Sequence, residues 1–338
     1  MTAPPAAPPG TTAARATLAA DIGGTWTRLR TGGPGAPVER LRSPSRLNHP
    51  GRPVTELRAD MVDMLCAAAP RGAAAALSFG AAIDHLTGTV YGSAPLWGAE
   101  AEPYDLGAEL RRRRPDVAWS LVNDVTAALA DFVVEHARHG TRRIGYLTIS
   151  SGIALRVADL DSRRIPVDDR GLQGEVGHLP AMVTGAAPER TGLLCECGAP
   201  DHLASVASGP GIARVAARLG IDAGPGLPAW LPAALADGDP AARRLLELCV
   251  EPVANLLRTL WCLDPHLDLL GLGGGVVEGL GARYADELRR QLAAPASYAD
   301  PGRDGAWLAE RLVFCGPGAV DPLQGAERIG RWLPGIVR

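Results

Sequence analysis

The chain has 338 residues, 46% of them hydrophobic, and a formal net charge of -3 at pH 7. This length and composition predict a globular protein of about two domains. The slightly acidic charge argues against nucleic-acid binding, so the Arg111–Arg114 run is predicted to be a solvated helix end. All 34 basic residues are arginines, so phosphate sites and Schiff bases that need a lysine are excluded. Six cysteines in a chain of this length argue against a disulfide framework.

The N-terminal segment, residues 1–15, is rich in Pro, Ala and Thr. It is predicted to be a disordered tail, because it cannot bury enough apolar surface to offset its ordering entropy. It also lacks the basic-then-apolar order of a secretion signal, and no apolar run reaches the ~18 residues that span a bilayer. We therefore expect a cytoplasmic protein with no membrane partner.

Strands and helices alternate along the first half of the chain. Thr17–Thr31 is predicted to be a β-hairpin, because its paired glycines adopt the positive φ angles that tight turns need. Residues 73–84 and 116–125 are predicted to be buried strands, and Val125–His139 carries apolar residues at helical spacing. Residues 144–160 repeat the strand–turn–strand plan of the first hairpin, and the whole alternation predicts an α/β fold.

The second half opens with a loop-rich stretch, residues 174–208. Ser208 can cap a helix that opens at Pro210, and a long apolar helix is predicted from Asp239 to about Leu263. Residues 267–280 are predicted to be a buried strand, a triple-glycine turn and a helix start. Such a turn is a place where a ligand can meet the backbone.

Asp21 stands at the predicted end of the first strand, beside the glycine turn that ends at Thr25. The carboxylate and the uncovered N–H groups of the turn could hold magnesium and phosphate oxygens together. The same residues also suit an ordinary hairpin. Taken alone, this segment leaves both interpretations open.

Asn123 and Asp124 stand where a buried strand gives way to a helix. Here a carboxylate would project from the carboxyl end of the strand into the crevice of an open sheet. An N-cap is the alternative interpretation, and the two residues alone favour it.

Four nitrogen and sulfur ligands follow the pattern H-x16-C-x-C-x4-H, namely His178, Cys195, Cys197 and His202. The pattern is consistent with a closed tetrahedral zinc site, whereas a disulfide across one intervening residue would be strained. The predicted role of the zinc is architectural. By holding His178 it would hold Glu175 and shape the wall of a pocket.

Six motifs, taken in order, resemble those of the ROK family of sugar kinases and repressors: DIGGT (21–25), LVNDVTAAL (121–129), TISSGIA (148–154), GEVGHLP (174–180), CECGAPDHLASVASGPG (195–211) and LGLGGGVVEG (270–279). The resemblance implies an α/β, actin-like ATPase (ribonuclease H-like) fold, with two duplicated domains around a cleft. It places an N-terminal domain at 16–124, completed by 321–338, and a C-terminal domain at 125–320, with a zinc-stabilised loop at 174–208.

The resemblance also implies ATP, Mg²⁺ and a structural Zn²⁺ as cofactors, and a homodimer. Asp21 would organise the magnesium, and Asp124 would be the base that accepts the proton of the acceptor hydroxyl. The other positions carried over are Gly23, Gly24, Thr25, Ser151 and Gly152 for the phosphates, Gly274 and Gly275 for the nucleoside, and Asn123, Asp124, Glu175 and His178 for the acceptor.

Several positions depart from the family pattern. His202 replaces the third zinc cysteine, a change that zinc tolerates. Ala204 stands where the family has a sugar-binding glutamate, the asparagine of an Asn-Leu pair is missing around residues 94–97, and Ser150 replaces a glycine. A pocket that lacks polar partners for hexose hydroxyls selects glucose poorly.

Within the family, four stretches resemble the C7-cyclitol 7-kinases of acarbose- and validamycin-type aminocyclitol biosynthesis: GAAIDHLTGTVYGSAPLWG (80–98), NDVTAAL (123–129), GLQGEVGHLPA (171–181) and SGPGIARVA (208–216). The implied reaction is phosphorylation of the exocyclic primary hydroxyl, O7, of a C7-cyclitol such as 2-epi-5-epi-valiolone or valienone. One alternative is a glucokinase or N-acetylhexosamine kinase. Another is a non-catalytic sugar-sensing regulator, against which the retained Asp124 argues, as does the shortness of the sequence before Asp21, too short for a helix-turn-helix domain.

Overall fold

The computed structural model describes residues 16–93, 96–98, 102–183, 188–222, 226–294 and 302–332. The predicted tail at 1–15 lies outside the described residues, as do part of the 94–97 segment and residues 333–338. No helix of the described residues is long and apolar enough to cross a membrane.

The strands, in chain order, are β1 (Ala16–Ile22), β2 (Trp26–Thr31), β3 (Val38–Arg42), β4 (Ala74–Phe79), β5 (Ala82–Asp84), β6 (Thr89–Gly92), β7 (Tyr104–Asp105), β8 (Ala118–Asn123), β9 (Arg143–Ile149), β10 (Ile153–Asp159), β11 (Leu267–Gly273) and β12 (Leu312–Phe314). The α-helices are α1 (Val54–Ala68), α2 (Leu106–Arg113), α3 (Asp124–His136), α4 (Leu203–Ala207), α5 (Gly209–Arg218), α6 (Leu227–Ala236), α7 (Pro240–Leu263), α8 (Gly275–Leu280), α9 (Ala282–Ala293), α10 (Gly305–Arg311) and α11 (Pro322–Trp332).

The first sheet has the order β3-β2-β1-β4-β8, in which β1, β4 and β8 are parallel and β2 and β3 are antiparallel additions. Because side chains alternate between the two faces of a strand, β4 serves two clusters. Leu77 and Phe79 pack with Leu57 and Met61 of α1, whereas Ala76 faces the cluster around α3 and α11.

The second sheet has the order β10-β9-β11-β12, again an antiparallel hairpin followed by parallel strands. Leu147 of β9 and Leu270 of β11 share one buried cluster with Leu257 of α7 and Tyr284 of α9. The two sheets therefore repeat one plan, as the two predicted hairpins indicated. A third, small sheet joins β5, β6 and β7.

The C-terminal helix α11 packs against α3 and against β1 and β4 of the first sheet. Its Gly325 lies so close to α3 that a Cβ there would approach the carbonyl oxygen of Ala127 to 1.7 Å. Two arginines of β2 reach this region, since Arg28 pairs with Asp321 and Arg30 with Glu327. These contacts agree with the predicted completion of the N-terminal domain by 321–338, but the domain boundaries remain predictions.

Most predicted elements are confirmed, with three adjustments. The predicted strand 73–84 is two strands, β4 and β5, which belong to different sheets. The stretch 174–208 is not wholly loop, because it contains α4 and two short 3-10 helices, Val176–His178 and Pro188–Arg190. The predicted helix at Pro210 begins one residue earlier, where the hydroxyl of Ser208 accepts from the N–H of Gly211.

Candidate active site

The carboxyl ends of β1, β4 and β8 meet at one edge of the first sheet. Asp21 lies opposite Ser78, and Phe79 lies opposite Asn123. Residues that follow these strands therefore converge, because neighbouring parallel strands end at the same edge. Three separate sequence segments supply polar groups to this edge.

Asp124 is the first residue of α3, directly after β8. Its Oδ1 accepts from the N–H of Val125 at 2.9 Å, and a Cβ at Gly80 would lie 3.5 Å from its Oδ2. Burial, together with the charges of Asp21 and Glu175, raises the pKa of Asp124 to about 7, against the opposing effects of the Val125 N–H and Arg156. A carboxylate with a pKa near neutrality can accept a proton from a hydroxyl at physiological pH.

Asn123 is the N-cap of α3 and is buried. Its Oδ1 accepts from the N–H groups of Val125 (2.9 Å) and Thr126 (3.3 Å), and its Nδ2 donates to the carbonyl of Ala81 at 3.0 Å. The N-cap interpretation is confirmed for Asn123. Asp124 is not the cap and keeps its Oδ2 beside the cavity, so its role in chemistry stays a prediction.

The carboxylate of Asp21 is held on both oxygens. Ser78 donates to Oδ1 at 2.8 Å, and the guanidinium of Arg28 donates twice to Oδ2, at 3.1 and 2.7 Å. The same guanidinium also donates to Asp321 at 2.7 Å. This double anchoring fixes the rotamer of Asp21 beside the first glycine turn.

Three polar side chains donate hydrogen bonds to the carbonyl groups of the first glycine turn. Ser43 donates to the carbonyl of Gly23 at 2.6 Å, Ser45 to that of Gly24 at 2.5 Å, and Asn48 to that of Thr25 at 2.9 Å. In a trans peptide the N–H points away from the preceding carbonyl. The N–H groups of Gly24 and Thr25 therefore point away from this polar segment, as a phosphate-binding turn requires.

The turn between β9 and β10 contacts the glycine turn that follows β11. Gly274 has φ +91, and a Cβ there would lie 2.7 Å from the carbonyl oxygen of Ile149, so only glycine fits. The N–H of Gly209 donates to the carbonyl of Ser150 at 2.8 Å, which brings α5 to the same turn. Ser151 and Gly152, at the tip, are exposed.

A cavity of ≈ 150 Å³ connects the ends of the two sheets. Its wall includes Asp124, Thr148, Gly274 and Glu278, and the N–H of Gly274 donates to Oε1 of Glu278 at 3.1 Å. The carboxylate at the end of the first sheet and the glycine turn at the end of the second thus face one space.

Glu175 precedes the short 3-10 helix Val176–His178, which rests on β10. A Cβ at Gly177 would lie 2.5 Å from the carbonyl oxygen of Ile153. Burial raises the pKa of Glu175, and the guanidinium of Arg156, with Nη2 at 3.6 Å from Oε1, opposes that rise.

The four predicted zinc ligands converge, and their ligand atoms all lie within 4.8 Å of one another. The Sγ of Cys195 is 3.7 Å from Nδ1 of His178, and the Sγ of Cys197 is 3.3 Å from Nδ1 of His202. A tight turn joins the two cysteines, since the N–H of Gly198 donates to the carbonyl of Cys195 at 2.9 Å. Two imidazoles and two thiols are a donor set that suits zinc.

The model of the ROK family matches residues 17–299. The chain belongs to the ROK family. The 2-epi-5-epi-valiolone 7-kinase of Actinoplanes sp. is 43% identical over 326 residues, which cover 91% of this chain and 90% of that relative. A C(7)-cyclitol 7-kinase of Streptomyces hygroscopicus subsp. jinggangensis is 31% identical over 205 residues, or 55% of each chain.

Among solved structures, a ROK family glucokinase from Streptomyces griseus in complex with glucose and AMPPNP matches with a TM-score of 0.64 at 20% identity. The match covers 93% of this chain and 98% of the glucokinase. At this level of identity the likeness concerns the fold alone. It confirms the actin-like ATPase fold with mixed α/β content.

Several polar residues of the candidate site are absent from the sequence motifs. Ser43, Ser45 and Asn48 lie outside any of the motifs and meet the glycine turn only through folding. Arg28 lies in a strand of mixed polarity and gave no local signal, whereas Arg156 gave a weak one, because it is an arginine inside a largely apolar strand. A charged side chain in such a strand predicts a buried partner, since burying an unpaired charge is costly.

Proposed function

We propose that the chain is an ATP- and Mg²⁺-dependent kinase that transfers the γ-phosphoryl group to the exocyclic primary hydroxyl, O7, of a C7-cyclitol such as 2-epi-5-epi-valiolone or valienone. The observation that carries the proposal is the 43% identity, over nine tenths of both chains, to a 2-epi-5-epi-valiolone 7-kinase. The position of Asp124 at the cavity between the sheets supports it.

In the proposed reaction, the carboxylate of Asp124 accepts the proton of the O7 hydroxyl as that oxygen forms a bond to the γ-phosphorus and the bond to the β,γ-bridging oxygen of ATP breaks, which releases ADP. The N–H groups of Gly24 and Thr25, with Gly23, Ser151 and Gly152, would hold the phosphates. Gly274 and Gly275 would line the nucleoside.

Asn123, Glu175 and His178 would hold the acceptor together with Asp124. Asn123 keeps a second Nδ2 hydrogen beyond its bond to Ala81, and Glu175 has a side chain that is 30% exposed beside the buried Arg156. Each can therefore reach a hydroxyl without leaving its present partners.

Magnesium would bind near Asp21. Both carboxylate oxygens of Asp21 already accept hydrogen bonds, from Ser78 and Arg28. Mg²⁺ usually keeps several of its waters in such sites, so contact through a bound water fits this carboxylate better than bare coordination. The ion would neutralise charge on the phosphoryl oxygens.

A structural zinc would occupy the His178, Cys195, Cys197 and His202 cluster. These two imidazoles and two thiols are a donor set that suits zinc, and their ligand atoms already lie within 4.8 Å of one another. The N–H of His178 donates to the carbonyl of Glu175 at 3.1 Å. Fixing the imidazole would therefore fix the acceptor side of the pocket.

The proposal also covers the cellular location, the partners and the oligomeric state of the enzyme. A kinase that uses ATP belongs in the cytoplasm, and its partner is a small molecule and not nucleic acid. Homodimerisation stays a prediction, which light scattering of the purified protein would test.

The test is a panel of acceptors with ATP and Mg²⁺: 2-epi-5-epi-valiolone, valienone, glucose and an N-acetylhexosamine. ADP release and phosphorus NMR should show a cyclitol 7-phosphate with wild-type protein. Asp124→Asn should reduce turnover by about 10²–10⁴ while ATP binding, measured by calorimetry, is retained.

Other outcomes would change the assignment in defined ways. Faster turnover of glucose or the N-acetylhexosamine would contradict the assignment of a cyclitol substrate, whereas the assignment as a kinase would stand. No product from any acceptor, together with specific binding of DNA, would replace the kinase by a sugar-sensing regulator.

A further inference from the structure

Arg156 is a fully buried arginine in the middle of β10. Leu155 and Ala158 of the same strand are buried apolar residues, and the relative exposure of the Arg156 side chain is 0%. A guanidinium without water is stable only when its N–H groups are paired, because desolvating a charge costs several kcal/mol. Burial lowers the pKa of Arg156, whereas the charges of Glu175, Asp124 and Asp168 raise it.

The Arg156 guanidinium connects three parts of the candidate acceptor side. Its Nε donates to Oγ1 of Thr126 (3.3 Å), which lies in the first turn of α3, two residues after Asp124. Its Nη2 donates to the carbonyl of Gly171 at 3.2 Å and lies 3.6 Å from Oε1 of Glu175. Its Nη1 donates to the carbonyl of Leu155 at 3.1 Å, which orients the guanidinium plane along its own strand.

The segment between Gly171 and Glu175 has little freedom to move around this arginine. A Cβ at Gly171 would lie 2.3 Å from the carbonyl oxygen of Ile83, and a Cβ at Gly174 would lie 1.9 Å from that of Leu155. Both glycines have positive φ, +68 and +77. The backbone therefore approaches β5 on one side and β10 on the other, with Arg156 between them.

We infer that Arg156 is a positioning residue for the acceptor, which holds the Glu175 carboxylate and the first turn of α3 at a fixed separation. The inference rests on the proposed function, because it assigns Glu175 to acceptor binding. Arg156 itself has no exposed atom with which to touch a substrate, so it acts through Glu175. An apolar side chain of the same volume would leave the Glu175 carboxylate without its charged partner.

The test uses the full chain with Arg156→Met, Arg156→Lys and Glu175→Gln, alone and combined, and Arg143→Met as the control. Arg143 pairs with Asp159 and Asp264 at the far end of the same hairpin. Arg156→Met should raise KM for the cyclitol about tenfold or more, equal to ~1.4 kcal/mol, with KM for ATP within about twofold. Arg156→Lys keeps the charge without the planar fork, so its effect should be intermediate.

The deciding measurement is the double-mutant cycle with Glu175→Gln. If Arg156 acts through Glu175, then Arg156→Met should change the acceptor KM by less than about twofold in the Glu175→Gln background. The same cycle measured by thermal unfolding should show partial recovery of Tm in the double variant, because it contains neither the guanidinium nor the carboxylate, so neither is left without its charged partner. An equal change of KM in both backgrounds would overturn the inference, as would equal effects of Arg156→Met and Arg143→Met.

The two proposals fail in different ways. If wild-type protein phosphorylates no cyclitol, the proposed function is wrong, and the thermal cycle still reports whether Arg156 and Glu175 are coupled. If wild-type protein is active and the cycle shows no coupling, only the role of Arg156 is wrong. If Arg156→Met does not fold, the double-mutant cycles of KM and of Tm are measured with Arg156→Lys instead.

Discussion

At the scale of single residues, the chemistry depends on how the surroundings change ordinary side chains. Asp124 follows a capping asparagine and accepts from the N–H of Val125, and these features alone describe a helix start. Burial and the nearby charges of Asp21 and Glu175 raise its pKa to about 7. Near neutral pH about half of such carboxyl groups are ionised and ready to accept a proton, and the raised pKa makes the carboxylate a stronger base.

The raised pKa of Asp124 predicts a pH dependence with a defined sign. The proposed base must be ionised, so kcat/KM for the acceptor should fall about tenfold per pH unit below pH 7 and level off above it. Initial rates at low acceptor concentration between pH 5 and 9 provide the measurement. Asp124→Asn should remove this limb from whatever residual rate remains, and a wild-type midpoint near pH 4 would contradict the role of burial.

At the scale of elements, the two hairpins share one plan, but their turns are stabilised differently. The first turn is fastened by hydroxyl and amide side chains from residues 43–48. The second relies on close backbone contact with the glycine turn after β11. A side chain is therefore excluded at Gly274 by both space and φ.

Gly274→Ala should lower the free energy of unfolding by about 1–3 kcal/mol and raise KM for ATP, because its methyl group would collide with the carbonyl of Ile149. Gly279→Ala is the matched control. Gly279 lies within α8, and a Cβ there meets no atom within 4 Å, so that change should be neutral or stabilising by up to about 1 kcal/mol. Urea unfolding and ATP titration distinguish the two, and equal behaviour would argue against the tight turn.

The proposed zinc links the loop at 174–208 to the acceptor. Cys197→Ser should reduce the bound zinc from about one ion per chain to nearly none, lower Tm and raise KM for the acceptor more than KM for ATP. Elemental analysis and steady-state kinetics measure these effects. Cys262→Ser removes another exposed thiol, outside the cluster, and should change none of them. Unchanged zinc content in Cys197→Ser would remove this residue from the ligand set.

At the scale of the whole molecule, Arg28 joins the first hairpin to the C-terminal helix. Its guanidinium lies between the carboxylates of Asp21 and Asp321, and the N–H of Asp321 donates to Asp131 of α3 at 2.8 Å. Segments 293 positions apart in the chain thus share one network. The end of the chain therefore helps to hold the residue proposed to organise magnesium.

Arg28→Met should lower the free energy of unfolding by about 1–3 kcal/mol, because two neighbouring carboxylates lose their shared cation. The apparent KM for Mg²⁺ should rise as Asp21 loses its anchor. Arg52→Met is the control, since Arg52 pairs with Glu56 and Asp60 in more exposed positions and should change stability by no more than about 0.5 kcal/mol. Chemical denaturation and magnesium titration measure both variants, and equal losses would contradict a special role for Arg28.

The sequence by itself determined the elements that local patterns encode. Paired glycines predicted the first hairpin, and the repeat of its strand–turn–strand plan predicted the second. Ser208 and Asp239 predicted helix starts, and the cysteine and histidine spacing predicted a cluster that the fold brings together. The hairpins and helix starts depend on interactions within a few residues, and the cluster depends on a ligand pattern with few alternatives. These features can therefore be predicted without knowledge of the packing.

Only the tertiary structure decided which distant groups meet. Three contacts join residues that no local pattern connects. Arg28 pairs with Asp321, Arg156 lies between Thr126 and Glu175, and Ser43 donates to the first glycine turn. The free energy of such contacts depends on burial, which is a property of the assembled sheets and helices. For the same reason, the pKa of Asp124 follows from the folded surroundings and not from the motif that contains it.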